Sequence, residues 1–205
     1  MRFRNRVELN AVNYLALPIG ERMPQRVNAV IEVPAGNVNK YEYDRELRVF
    51  RLDRPLFSSV HYPCEYGFIP STLSEDGDAL DILVLTPAPT FTGCVLEARP
   101  VGVLRIVDQG VHDEKILAVA QSSPQHKEIR DYRDLPAHVL REIEHFFSVY
   151  KQLEGKRTEV CGWQGKGRAH RLIRVSERRF REGKGSETRT RTRTGTRPRR
   201  SVTLP

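Results

Sequence analysis

Four acids, Glu75, Asp76, Asp78 and Asp81, fall within seven residues directly ahead of the apolar run Ile82-Leu83-Val84-Leu85. Carboxylates this close repel one another and raise each other's pKa. Such a concentration calls for a counter-ion, and hard oxygen ligands suit Mg²⁺, Mn²⁺ or Ca²⁺. Asp76 and Asp78 stand two apart, so in extended chain they share a side, and Asp81 follows at the entrance to the strand. A solvated acidic loop would carry the same residues, since charge runs usually face water. Two named motifs do not fit. An EF-hand loop needs Gly at its sixth position and Glu at its twelfth, and counting from Asp76 these are Asp81 and Pro87. A phosphoryl-aspartate enzyme carries its first Asp at the end of an apolar strand, whereas here the strand follows the acids.

Other segments carry charges inside apolar or aromatic surroundings. Glu32 interrupts Val30-Ile31 and Val33, Lys40 and Glu42 flank Tyr41, and Asp108, Asp113 and Lys115 surround Gly110 just after VGVLRIV. A charge inside a strand pattern is costly unless it faces water or a paired site. Taken singly, each reads as the polar face of a strand. Together they make that reading harder to sustain.

The elements that must position these residues are mostly strands. Residues 29–34 and 40–44 read as strands with a Gly36-Asn37 turn between them, and 47–52 alternates apolar and basic residues with period two. Residues 82–86, 94–98, 101–107 and 115–120 are further short runs of Val, Ile and Leu, separated by Pro, Gly and Asp. Many short strands between turn signals suggest a barrel or sandwich. Leu135, Val139, Ile143, Phe146, Phe147 and Tyr150 recur at helical spacing, with Asp134 as the expected cap and Gly155 as terminator. A second helix is expected over about 168–180.

Composition divides the chain of 205 residues. Residues 166–205 hold 14 Lys and Arg against 3 Asp and Glu, while the body is mildly acidic. Residues 183–200 contain no large apolar side chain, so a disordered basic tail is expected over 183–205 after a single domain of 1–182. The three cysteines, Cys64, Cys94 and Cys161, have no C-x-x-C spacing, which argues against a disulfide framework or a zinc site and fits a reducing compartment. No signal peptide or membrane-spanning run is seen, and a cytoplasmic location is the expectation.

Five motifs in one order, IEVPAGNVNKYEYD, DRPLFSSVHYPCEYGFIPSTL, DGDALDILV, RPVGVLRIVDQGVHDEKILAV and HFFSVYKQLE, followed by Gly162-Trp163, resemble the soluble family I inorganic pyrophosphatases of the bacterial type. The resemblance is strongest over residues 14–165. It implies a mainly β, α+β fold built on a five-stranded, closed β-barrel of the oligonucleotide-binding type with peripheral helices. It also implies Mg²⁺-dependent hydrolysis of pyrophosphate, with Mn²⁺ as the alternative ion, in a homo-oligomer for which a hexamer is favoured.

Carried over by position, Asp76, Asp81, Asp108 and Asp113 match metal ligands, and Glu32 matches a further metal or water position. Asp78 matches the group that takes the proton from the attacking water. Lys40, Arg54, Tyr66, Tyr150 and Lys151 match substrate contacts, while Glu42, Tyr62 and Lys115 match supporting positions. These roles suit a polyanionic substrate. Two metals about 3.5–4 Å apart can share and acidify a water, Arg offers a two-pronged contact, and Lys a point charge. Ala79 departs from the Pro or Glu usual in the family. A Pro there would hold Asp78 extended, so the resemblance implies a less preorganised base and a modest loss of rate. A nucleic-acid-binding role is the alternative, through the barrel type and the basic tail, although only Phe180 among aromatic residues falls within 166–205.

Overall fold

A computed structural model describes residues 11–193, with side chains through residue 183. Eight strands form its frame: β1 (Val27–Val33), β2 (Asn39–Asp44), β3 (Val49–Pro55), β4 (Glu65–Phe68), β5 (Asp81–Leu85), β6 (Val95–Asp108), β7 (Val111–Ala120) and β8 (Thr158–Gly165). Two α-helices accompany them, α1 (Ala137–Val149) and α2 (Lys166–Arg193).

The main sheet runs β1-β4-β5-β7-β6, and a further β1–β6 pairing returns it to its start. Five strands therefore form a ring, as expected for the barrel. β8 extends the sheet from β6, and β2 and β3 make a separate hairpin. Closure depends on β6, whose first residues pair with β1 and whose later ones pair with β8. The change of partner falls at a register shift between Pro100 and Gly102. Proline cannot donate to a ladder, and bulges are where sheets bend. Two separate segments expected at 94–98 and 101–107 are thus one bent strand.

Both faces of the ring are covered. Leu83, Leu104, Leu117 and Val119 pack with Ile143, Phe146 and Phe147 of α1. Ile82, Val84, Val103, Ile116 and Ala118 pack in a second cluster with Ala169 and Ile173 of α2. This two-sided burial explains why β5 reads as a continuous apolar run and not as an alternating one.

The helix α1 differs from expectation at both ends. Pro136 precedes its first turn without a side-chain cap, because Asp134 is engaged elsewhere. Its carboxylate accepts the backbone N–H groups of Arg130 and Asp131, within a capping box around the 3₁₀ turn Tyr132–Asp134. Gly155 ends a separate 3₁₀ turn, Gln152–Glu154, in left-handed conformation at φ 71°. Two strands have no counterpart among the expected segments. β4 is four residues long and contains a glutamate and a glycine, and β8 alternates only weakly. The boundary placed at residue 182 from composition falls inside α2, and residues 194–205 of the basic tail lie outside the described residues. Among the described residues, no helix is long and apolar enough to cross a membrane.

Gly67 of β4 lies opposite Ile31 of β1. A Cβ placed on it would sit 1.9 Å from the Val30 carbonyl oxygen and 2.9 Å from the Ile31 Cα. Backbone occupies that space, so no side chain can rotate away to relieve the clash. Gly67→Ala is therefore expected to destabilise the fold by at least about 1–3 kcal/mol in urea unfolding, and an unchanged midpoint would contradict this strand approach.

Candidate active site

Parallel pairing between β5 and β7 sets the centre of the site. Ile82 lies opposite Ile116, so Asp81 and Lys115, one residue earlier on each strand, come together. Asp113 is two residues before Lys115 and shares its face of β7. Lys115 Nζ donates to Asp81 Oδ2 at 2.5 Å and to both carboxylate oxygens of Asp113 at 3.0 Å. The Lys115 side chain is 3% exposed, and its ammonium lies 5.4 Å from the centre of the Tyr66 ring and 5.5 Å from that of Phe147. Tyr66, brought alongside by β4, donates its hydroxyl to Asp81 Oδ2 at 2.7 Å.

The acidic loop lies at the entrance to β5. Gly77 adopts φ 93°, a left-handed turn that suits glycine. The turn closes through the Ser74 N–H donating to the Asp78 carbonyl and the Asp78 N–H donating to Asp76 Oδ1 at 3.0 Å. The Asp78 carboxylate is 73% exposed and accepts from Arg45 Nη2 at 2.5 Å.

A groove of about 1350 Å³ holds these groups together. Of the residues singled out in the sequence, Glu32, Lys40, Glu42, Tyr66, Asp76, Asp78, Asp81 and Asp113 line it. Glu75 and Ala79 line it as well, whereas Arg54, Tyr62, Asp108, Lys115, Tyr150 and Lys151 do not but adjoin the same network. Lys115 bridges Asp81 and Asp113. Lys151 donates to Asp108 Oδ2 at 2.5 Å and lies 5.2 Å from the Tyr150 ring centre. The Tyr62 ring packs 5.5 Å from that of Tyr66. Arg54 faces Lys40 across the β2–β3 hairpin, and both bind Asp53. Arg54 Nε also donates to Glu154 Oε1 at 2.8 Å, and Lys40 pairs with Glu42. Among the described residues, no three acid, histidine or cysteine side chains converge as ligands of one ion. His112 also lines the groove.

Burial governs the protonation of the site. It drives the Glu32 carboxyl up to about 8, helped by the charges of Asp81 and Glu42 and opposed by the Tyr43 N–H bound to it. Burial, together with the charges of Asp81 and Asp108, raises Asp113 even with Lys115 against it. Burial alone would lower Lys115, but Asp81 and Asp113 outweigh it and hold the ammonium protonated, its pKa raised. Tyr62, Tyr66 and Tyr150 are all raised by burial and stay as hydroxyls able to donate. Burial likewise opposes the charge on Lys151, and Tyr150 and Asp108 outweigh it, raising that group too.

Several residues at the site were not singled out in the sequence. Arg45 holds Asp78, while Asp53 and Glu154 orient Lys40 and Arg54. Arg105, Arg168, Arg171 and Arg179 also line the groove. Arg45 directly follows the KYEYD segment, yet nothing in the sequence separates it from the many other surface arginines. Glu75 pairs with Arg179 at 2.6 Å, with its side chain 82% exposed.

Removing the ammonium by Lys115→Met would leave two carboxylates facing each other. Their mutual repulsion would disfavour the charged forms in the folded chain, so the loss of stability grows as pH rises through the carboxylate range. A deficit of about 3 kcal/mol is expected near neutral pH, toward the low end for a broken buried pair because Asp81 and Asp113 remain about a quarter exposed. Urea unfolding at acid and neutral pH should show a smaller deficit in acid, and an equal deficit at both would rule out this charge arrangement.

A family model described as inorganic pyrophosphatase matches residues 29–181. The chain is 49% identical over 158 residues to the inorganic pyrophosphatase of Geobacillus stearothermophilus, covering 77% of this chain and 96% of that one. It is 48% identical over 166 residues to the inorganic pyrophosphatase of Methanosarcina acetivorans, covering 81% and 98% respectively. The crystal structure of inorganic pyrophosphatase from Thermus thermophilus superposes with a TM-score of 0.81 at 43% identity, over 83% of this chain and 99% of that chain. Motif order, ring topology and these likenesses agree: the chain belongs to the inorganic pyrophosphatase family.

Proposed function

We propose that this chain hydrolyses inorganic pyrophosphate to two orthophosphates, with Mg²⁺ as the metal and Asp78 as general base. The observation that carries this reading is the single groove in which Asp76, Asp78, Asp81, Asp113 and Glu32 meet Lys40 and Tyr66, in a chain of this family. Mn²⁺ is the alternative ion.

The residues present fit a divalent cation. Their donors are hard carboxylate oxygens, and Glu32 holds a proton up to about pH 8 because it lies buried among other acids. A cation among these oxygens would relieve that crowding. Asp76, Asp81 and Asp113 line the groove without converging and would have to close on the ion to hold it, with Asp108 and Glu32 at further positions. When bound, divalent cations neutralise a condensed phosphate and lower the pKa of water.

The chain's own groups do the rest. Asp78, exposed at the lip of the groove, accepts the proton of the attacking water. Lys40 and Tyr66 line the groove and can bind phosphate oxygens, Lys40 as a point charge and Tyr66 as a neutral donor. Arg54, paired across the hairpin from Lys40, and Lys151 and Tyr150 beside Asp108 adjoin this network, where Asp53, Glu154 and Asp108 orient them for the same anion. Glu42, Tyr62 and Lys115 hold these groups in place. A homo-oligomer, with a hexamer favoured, is proposed on the same family grounds, and Phe57 and Phe91, 57% and 66% exposed, supply apolar surface for assembly.

Phosphate release from pyrophosphate in Mg²⁺ tests this reading, and no release by the unaltered chain would end it. Asp78→Asn is expected to lower kcat by about 10²–10⁴, the range for loss of a general base. Ala79→Pro should raise the turnover number modestly. Because Glu32 must lose its proton to serve a cation, the Mg²⁺ concentration needed for half-maximal rate should fall as pH rises towards about 8.

A further inference from the structure

The groove has a second wall that the proposed chemistry does not use. Its volume of about 1350 Å³ exceeds the roughly 300–1,000 Å³ of sites for drug-sized ligands, and one pyrophosphate needs far less. In the same lining, α2 presents Arg168, Arg171 and Arg179, the last paired with Glu75, and β6 adds Arg105. Positions 168, 171 and 179 fall on one helical face at spacings of three and eight. Arg168 forks onto Glu114, with Nη2 at 2.6 Å and Nε at 3.3 Å. Arg105 lies across the β6–β7 ladder from that same Glu114. Neither Arg105 nor Arg171 has an ion pair or side-chain hydrogen bond among the described residues.

Two arginines without a partner carboxylate, beside a third held by a half-open pair, make a donor-rich surface with net positive charge. Guanidinium groups match phosphate geometry with paired N–H donors. The cations assigned to pyrophosphate, Lys40, Arg54 and Lys151, sit instead on or behind the hairpin and the turn after α1. The arginine wall is therefore carried by other elements of the fold, α2 and β6, than those cations are.

We propose that Arg105, Arg168 and Arg171 form a second phosphate-group site on the α2 wall, adjoining the catalytic acids. It would take the terminal group of a linear phosphate chain longer than pyrophosphate, or a separate phosphate ion. This rests on the pyrophosphate reading, because the site lies in the same groove.

The test uses the full chain, Arg171→Ala, and the double variant Arg168→Ala/Arg171→Ala. Arg171→Ala breaks no ion pair and so leaves the fold undisturbed, with an unchanged thermal melt as its control. Pyrophosphate hydrolysis is measured in Mg²⁺ with tripolyphosphate, and separately orthophosphate, as inhibitors. The inhibition constant of tripolyphosphate should rise about tenfold, as for loss of one charge-assisted contact, while KM for pyrophosphate stays within about twofold. A rise for orthophosphate alone would support the site with a free ion as its ligand. No change for either inhibitor would overturn it. So would a parallel rise in KM, which would place the arginines in the pyrophosphate site itself. If the unaltered chain released no phosphate, the functional reading would fail. Calorimetric titration of tripolyphosphate and orthophosphate onto the unaltered chain and Arg171→Ala would then still decide the arginine site, with equal binding to both overturning it.

Discussion

An ammonium enclosed between two carboxylates holds this site to its scaffold. Lys115 is nearly sealed from water, and its charge is tolerable only because Asp81 and Asp113 surround it. Asp81 opens β5, and Lys115 and Asp113 lie on β7. The ion triad therefore joins the one parallel pair in the ring at the point where both strands meet the groove. Tyr66 on β4 adds a third strand through its hydroxyl. A one-residue slip in register would turn Lys115 to the opposite face and leave charges unpaired in a core. The site and the sheet register thus enforce one another.

From that centre the charges spread outward in linked pairs. Lys151 answers Asp108, Arg54 answers Glu154 and Asp53, and Arg45 answers Asp78. The more exposed links, such as Arg45 with Asp78, contribute little to stability. They are easily exchanged for a ligand's charge. The inner links are shielded by Tyr62, Tyr66, Phe147 and Tyr150, whose rings exclude water around the ammonium groups. A gradient from rigid, buried pairs to loose, solvated ones runs from the β5–β7 junction to the lip where Asp78 stands.

Much of this was legible before any coordinates. The acids ahead of an apolar strand, the isolated charges at Glu32, Lys40 and Asp113, and the amphipathic run ending at Tyr150 all carried local signals. Asp134 does not cap α1, because its carboxylate has nearer partners in the turn that begins at Asp131. β4 carries no local strand signal, because Glu65 and Gly67 interrupt its apolar pattern. Glu65 is fully buried and satisfied by Thr86 and Thr90 from a distant loop, a partnership with no sequence signature.

The order of amino acids alone is enough to show which residue types carry the chemistry, the period-two strands that present them, and, by resemblance, the family to which they belong. These are local properties, set by spacing and composition along the chain. Which charges answer one another is set by the folded chain. The Lys115–Asp81 contact spans a parallel strand pair, Arg54–Glu154 joins the hairpin to the turn after α1, and the arginines of α2 reach the groove only because Ala169 and Ile173 anchor that helix on the ring. Electrostatic pairing depends on distance through space, and loop closure brings remote segments together at a cost that rises only slowly with separation, so spacing along the chain carries little of that information.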